Sequence, residues 1–377
     1  MKAIILAEGN LASHYLGPSV FAFNQAKALR RKNVDVAMLE LDMRSPRRRR
    51  KIGFGACTVD GIPVYTMAVP CGPVPFVLPL LSKTALLHSF NKAARLFGPP
   101  DVIHAHFGNI GAVCSVLSRK NAPIILTEHS SAVIRENRDK GAGKVFRRAY
   151  DTADTIITVS TALKKRMADL TDKDIRVIPN VLASHFAYGH TVKNNDFTFI
   201  SVGNLIESKR FDITITAFGR VNVEYPDIKL KIVGEGVLKG RLMQIARENC
   251  VDEKAEFLGI VPNAMLPEVY GSCHCFVLPS MYETFGVAYA EALACGLPVI
   301  ATRCGGPEDF VDDGNGMLIP VDDLEATVGA MRHMYENYSV YDSEGISRGI
   351  VGKLNEDAIG RAICEVYSET LRIQPGD

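Results

Sequence analysis

Ten short runs dense in Ile, Val, Leu and Ala punctuate this sequence, five in each half, and longer stretches with helical apolar spacing lie between them. The first five occupy residues 3–7, 34–39, 102–105, 124–126 and 155–159; the second five occupy 197–203, 230–234, 255–259, 275–279 and 298–301. Strands joined through helices cannot pair as hairpins, so they align in parallel and the helices cover both faces of the sheet. A strand buried on both faces has no wet side, which is why these runs are mostly continuous rather than alternating. The fold class expected is therefore α/β, with two Rossmann-like, doubly wound parallel-sheet domains. A length of 377 residues suits two domains of ordinary size. The polar, weakly patterned stretch 185–196 separates the series, giving a first domain of 1–185, a second of 196–350 and a C-terminal helical segment, 351–377. In that last segment Ala358, Ile359, Ala362, Ile363 and Val366 form an apolar stripe that needs a surface to cover.

Hydrophobic residues at 47% and charged residues at 23% exclude disorder, collagen-like repeats and coiled coil. Nine scattered cysteines, an odd number in a long chain, point to a reduced, cytoplasmic setting. The first apolar run is too short for a secretion signal. The most apolar window, 67–87, carries Pro70, Pro73, Pro75 and Pro79, each removing a helical hydrogen bond, so it is not expected to span a membrane. The net charge of +1 hides an asymmetry. Residues 1–190 hold 27 Lys and Arg against 14 Asp and Glu, or +13, whereas 191–377 hold 16 against 28, or −12. Opposite halves imply different partners.

The segment 279–298 is the densest in chemistry. A strand runs into a turn that opens a helix, and the first helical N–H groups, around Thr284, Phe285 and Gly286, have no internal acceptor. Such an end attracts anions. Glu283 lies in the turn and Glu291 inside the helix, both on the side where ligands of open parallel sheets bind. Taken singly, each glutamate is structural about as often as functional. His104 and His106 end a strand and alternate onto one face; a lone histidine there is usually structural, but the strand's carboxyl end raises its functional odds. A zinc shared by one of them and His129 is possible in principle, yet no third ligand at close spacing supports one. Cys273-His274-Cys275 reads as the start of a buried strand, and Asp312-Asp313 as an acidic turn.

Glu283 and Glu291 are separated by seven residues that include Phe285-Gly286, and Ala292, Ala294, Gly296 and Pro298 follow. This pattern resembles the retaining glycosyltransferases of family 4, built on the two-domain GT-B fold with its domains facing across a crevice. The resemblance implies that Glu291 binds the ribose of a nucleotide-sugar, that Glu283 contacts the transferred sugar, and that the backbone of Thr284, Phe285 and Gly286 meets sugar and phosphate. Gly203-Asn204-Leu205 with Lys209 looks like the family's diphosphate element, with Asn204 in place of the usual Arg and Arg210 beside the lysine. A departing nucleoside diphosphate needs positive charge, which Lys209 supplies. Gly234 and Val261 follow strands where the family's loops approach the nucleotide, and His106 matches a histidine near the reacting sugar. Gly17-Pro18-Ser19 matches the loop beneath the donor phosphates; Pro18 replaces the second glycine and has no N–H, leaving Gly17 and Ser19 for such contacts.

The resemblance implies sugar transfer from a nucleoside diphosphate with retained configuration, by front-face attack in which the departing phosphate helps deprotonate the acceptor. His106, Lys209 and Glu283 are the catalytic residues expected, with no metal and no cofactor. The basic first half, with Arg44, Arg47, Arg48, Arg49, Arg50 and Lys51 beside the window 67–87 and Arg147, Arg148, Lys164, Lys165 and Arg166 further on, suggests an anionic membrane surface as readily as a solvated loop. The acceptor expected is then a lipid-linked glycan at the inner face of the cell membrane, and nucleic acid is not expected. The rivals are a nucleotide-sugar epimerase of similar shape, a non-catalytic sugar-binding protein and a transferase acting on a soluble acceptor.

Overall fold

A computed structural model describes residues 1–11, 19–45, 47, 50–71, 78–118, 122–134, 142–189 and 191–373. Gly17, Pro18, Arg48, Arg49 and positions 72–77 of the apolar window lie outside the described residues. The chain divides into two compact units, Met1–Val181 with Asn355–Asp377, and Leu182–Leu354.

The first unit contains β1 (Lys2–Glu8), α1 (Ser19–Arg30), β2 (Asp35–Asp42), β3 (Gly53–Val59), β4 (Ile62–Ala68), α2 (Leu78–Phe97), β5 (Val102–His106), α3 (Gly108–Val113), β6 (Ile124–Glu128), α4 (Ala142–Thr152), β7 (Thr155–Thr158), α5 (Thr161–Met167) and β8 (Ile175–Val177). Its sheet has the order β3-β4-β2-β1-β5-β6-β7-β8. All pairings are parallel except β3 with β4. Ile4 and Ile5 of β1 are fully buried, as an inner strand covered on both faces requires. The β3–β4 hairpin is absent from the sequence analysis, although Asp60-Gly61, both with positive φ, is the two-residue turn that such a hairpin favours.

Within the apolar window, α2 starts at Leu78 and Pro79 falls in its first turn, where a missing N–H costs no helical bond. Among the described residues no helix is long and apolar enough to cross a membrane. The C-terminal α12 (Glu356–Ile373) belongs to the first unit. Its Ile359, Ile363, Val366 and Tyr367 are buried in one cluster with Ala22, Ala26 and Leu29 of α1. Ion pairs Arg31–Glu356 and Lys32–Asp357 flank that contact, and Gly360 has no room for a side chain, since a Cβ there would stand 2.6 Å from the Ala28 carbonyl.

The basic run 44–51 needs correction as a membrane-facing cluster. Asp42 is fully buried, and a buried carboxylate must be paired. Arg44 and Arg50 both turn inward to it, at 2.7 and 2.9 Å, and only 2% of the Arg50 side chain remains exposed. Two of the six cations therefore serve the fold.

The second unit contains β9 (Thr198–Val202), α6 (Phe211–Glu224), β10 (Lys229–Val233), α7 (Lys239–Glu248), β11 (Ala255–Gly259), α8 (Leu266–Gly271), β12 (Cys275–Leu278), α9 (Val287–Ala294), β13 (Val299–Thr302), β14 (Gly316–Ile319), α10 (Leu324–Asn337) and α11 (Ser343–Leu354). The sheet is wholly parallel, in the order β11-β10-β9-β12-β13-β14. Cys273 and Cys275 are buried where β12 begins. The residues after β13 form the acidic turn expected, with Asp312 accepting from the Gly314 N–H at 3.0 Å, and the chain then enters β14.

Candidate active site

In the second unit the chain runs from β9 to β11 on one side and starts again with β12 on the other, so the topological switch point lies between β9 and β12. Parallel sheets bind ligands outside the strands' carboxyl ends at such a point. The loops leaving these two strands carry Lys209 and Glu283.

Beyond β9, Gly203, Asn204 and Leu205 lead into a short 3₁₀ turn, Glu207–Lys209, and Arg210 follows in the left-handed region at φ 50°. Arg210 is ion-paired with Asp212 at 3.1 Å and with Asp322, so its charge pins the start of α6. Lys209 Nζ meets Glu283 Oε1 at 2.5 Å, and the Ser280 hydroxyl donates to the same oxygen at 2.9 Å. Both side chains are largely buried, 22% and 12% exposed. Sequence reasoning assigned these residues separate roles and did not pair them; 74 positions separate them.

Glu283 is fixed by its backbone as well. Its N–H donates to the Cys304 carbonyl at 3.2 Å and its carbonyl accepts from Gly306 at 3.0 Å, a bridge to the loop beyond β13. Phe285 is buried against Phe310 with ring centroids 5.3 Å apart. Gly286 opens α9 at φ 92°, and no side chain caps that helix. Thr284 is half-buried beside it. Glu291 lies in the second turn of α9, where its carboxylate accepts from the Tyr270 hydroxyl at 3.5 Å. Burial pushes the Glu291 carboxyl up to about 8.

The other crossovers crowd the same edge. Gly234 has φ 135°, and a Cβ there would lie 1.9 Å from the Gly203 carbonyl, so only glycine lets the loops after β9 and β10 meet. The Leu205 N–H donates to the Glu235 carbonyl at 3.0 Å. Val261 follows β11 and is half-buried. Loss of the Ser280 hydroxyl removes one hydrogen bond to a charged partner, worth about 1.5–3 kcal/mol. Ser280→Ala is expected to lower turnover roughly tenfold while unfolding stays cooperative, as initial rates and urea denaturation would read. An unchanged rate would show that Glu283 needs no such support.

In the first unit the switch point lies between β1 and β5. His104 and His106 share a face, with ring centroids 4.6 Å apart, but they differ in partners. His104 is satisfied by Tyr367 at 2.8 Å and Thr127 at 2.7 Å, a structural histidine. His106 Nδ1 meets His129 Nε2 at 3.0 Å, while its buried Nε2 has no partner among the described residues. Burial holds His106 well below the usual imidazole value, with His104 and His129 adding to the effect. At neutral pH it offers a hydrogen bond and not a charge.

Glu128, absent from the sequence assignments, organises this end. Its buried carboxylate accepts from the His129 and Ser130 N–H groups at 2.9 and 2.8 Å and from the Tyr150 hydroxyl at 3.2 Å. Glu40 does the same for the N-terminal loop: it accepts from the Leu11 N–H at 3.0 Å and from the Ser19 hydroxyl. Ser19 is fully buried, so its hydroxyl is committed to Glu40. An acidic residue inside an apolar run, as at Glu40 and Glu128, was the available signal for both. Among the described residues no group of three or more His, Cys, Asp or Glu could hold a metal ion.

Comparison with known proteins shows the family and the fold. Residues 188–344 match the family described as glycosyl transferases group 1, and residues 16–182 match glycosyltransferase family 4. N-acetyl-α-D-glucosaminyl L-malate synthase of Bacillus anthracis is 25% identical over 72% of this chain and 75% of that protein. The phosphatidylinositol N-acetylglucosaminyltransferase gpi3 subunit of Schizosaccharomyces pombe is 26% identical over 64% of this chain, which spans 55% of that protein's length. Sucrose-phosphate synthase from Thermosynechococcus elongatus superposes with a TM-score of 0.81 at 19% identity, over 99% of this chain and 100% of the other. The Anabaena protein HepE, solved in complex with UDP-glucose, superposes with 0.74 at 16%, over 97% and 99%. With both halves matched and the GT-B fold shared, this chain belongs to the family 4, group 1 glycosyltransferases, which draw on nucleotide-sugar donors.

Proposed function

We propose that this enzyme transfers a sugar, with retention and without a metal, from a nucleoside diphosphate to a hydroxyl of a membrane-held, lipid-linked acceptor. The observation that carries the donor half is the Lys209–Glu283 pair at the switch point, with half-buried Glu291 on the helix that follows Glu283. In the reaction the bond from the anomeric carbon to the diphosphate oxygen breaks, and its electron pair leaves with the phosphate. The acceptor oxygen attacks from the same face and its proton passes to the departing phosphate oxygen. Negative charge grows on that oxygen, and Lys209 stabilises it with the uncapped start of α9. Glu283 orients the transferred sugar, Glu291 takes the ribose hydroxyls, and His106, being neutral, orients by hydrogen bond.

Incubation with a panel of nucleotide-sugars, reading released nucleoside diphosphate and the anomeric configuration of the product, tests the reading. No release with any donor, or an inverted product, would overturn it. Chelation is expected to leave the rate unchanged, since Lys209 supplies the positive charge; activity lost to chelator and restored by magnesium or manganese would refute the metal-free assignment.

The lipid-held acceptor is supported by the +13 charge of residues 1–190 and by the named acceptor of the fission yeast relative. A soluble acceptor is the second reading, favoured by the capture of Arg44 and Arg50 by Asp42 and by the malate named in the Bacillus relative. Co-sedimentation with anionic and neutral vesicles at low and high salt separates the two. Equal binding to both, or none to either, favours the soluble acceptor.

A further inference from the structure

A cavity of about 600 Å³ in the first unit lies among the carboxyl ends of β1 and β2 and helices α2, α3 and α4. Its floor and walls include Leu41, Met43, Ile110, Val113 and Val145. Its cations are Lys83 on α2 and Lys144 and Arg148 on α4. We propose that this cavity binds the acceptor as a lipid phosphate, the apolar chain among the aliphatic side chains and the phosphate on Lys83, Lys144 and Arg148. The inference rests on the lipid-held reading above and locates its site.

The charges of the cavity select the ligand's sign. No carboxylate pairs with Lys83, Lys144 or Arg148 among the described residues; Arg148 reaches only the Ser115 hydroxyl, at 3.4 Å. This contrasts with Arg44 and Arg50, which the fold neutralises through Asp42. Glu8 is the one acidic side chain in the lining, and burial together with neighbouring Asp42 raises its carboxyl, which favours its uncharged form. On α4, Lys144, Val145 and Arg148 are exposed together, while Phe146, Ala149 and Tyr150 face the core.

The apolar surface selects the ligand's body. Leu80 and Leu81, just before the lining residues of α2, are 68% and 41% exposed, and Val145 is 37% exposed. Exposed aliphatic side chains on the two helices that line the cavity suit a ligand that enters from a bilayer. A free sugar would instead need several convergent neutral polar groups, and the lining offers chiefly Ser82 and Asn109. The position also suits an acceptor, because Glu8 ends β1 and Ile110 lies in α3, four residues beyond the end of β5 at His106, and β1 and β5 flank this unit's switch point.

The chain has no tryptophan, so Val145→Trp in the full-length protein gives a single tryptophan at the cavity, excited selectively at a wavelength its tyrosines do not absorb. Titration with farnesyl diphosphate, a soluble apolar-tailed phosphate, is expected to shift its emission to the blue and to saturate. Inorganic diphosphate and farnesol are expected to bind at least tenfold more weakly, and Lys83→Gln, Lys144→Gln and Arg148→Gln together to weaken farnesyl diphosphate at least tenfold. Calorimetry on the unmodified chain checks that the reporter has not created the site. No saturable binding there, binding of farnesol as tight as that of farnesyl diphosphate, or indifference to the triple substitution would overturn the proposal. Nucleotide-sugar turnover by the unmodified chain separates the two readings: turnover without farnesyl diphosphate binding sinks the cavity assignment alone, and binding without turnover sinks the transferase reading.

Discussion

Lys209→Ala is expected to lower kcat by about two to three orders of magnitude, the usual cost of removing one preorganised group that stabilises developing negative charge. The donor's KM should change far less, because the lysine already has a partner within the fold: its ammonium rests on Glu283 at 2.5 Å. A bound diphosphate must share that ammonium with Glu283, so its full value is realised only as the phosphate leaves. The pairing makes the two residues act as a unit. Glu283→Ala should lower turnover too, and the double variant should cost much less than the sum of the single effects. Steady-state kinetics on the three variants decides it. Equal and small losses from Lys209→Ala and Glu283→Ala, or strict additivity, would mean that the pair is only structural.

The second large effect concerns pH. Burial lifts the Glu291 carboxyl to about 8 from the ordinary 4.5. A group with a raised folded value holds its proton longer in the folded chain than in the unfolded one. Its contribution to stability is therefore complete below pH 4.5, declines as pH rises towards 8, and is gone above that. The loss is on the order of 5 kcal/mol at most. Glu291→Gln abolishes this dependence, so urea denaturation at pH 5, 7 and 8.5 should show the parent losing stability relative to the variant as pH rises. Glu128, pushed to about 7 in the first unit, titrates in both proteins and cancels in the difference. Identical pH slopes would show that the Glu291 carboxyl is not raised in the folded chain. Donor binding should move the other way. If ribose hydroxyls donate to the ionised carboxylate, binding expels the proton, and donor affinity should rise with pH up to about 8. Glu291→Ala should weaken the donor by about 1–3 kcal/mol, with kcat less affected.

Much of the fold is legible in the sequence because parallel strands carry their own mark. A run such as Ile4-Ile5-Leu6, or Phe276-Val277-Leu278, is continuous because it is covered on both faces. In the β3–β4 hairpin, β3 escaped because it is the edge strand and is partly exposed along its length, and β4, though nearly all buried, has its apolar run broken by Pro63 and Thr66; Asp60-Gly61 was the strong cue. In the site, Gly234 and Gly286 were readable because positive φ and close backbone approach admit little else. Arg210 was not. Its position beside Lys209 suggested a second charge for the donor, and only the placement of Asp212 and Asp322 shows where that charge is spent.

The order of apolar runs by itself determined two mainly parallel sheets, and with them the edge at which the crossovers carry Lys209 and Glu283 in loops and Glu291 in the helix that follows. Such periodicity is local, read within one turn or one strand at a time. Partner and protonation state were decided by the tertiary structure alone: that Lys209 rests on Glu283 across 74 positions, that Asp42 draws Arg44 and Arg50 away from the surface, and that Glu291 keeps its proton near neutrality. Each depends on distance and on exclusion of water, and a charge in a sequence has neither until the chain has folded around it.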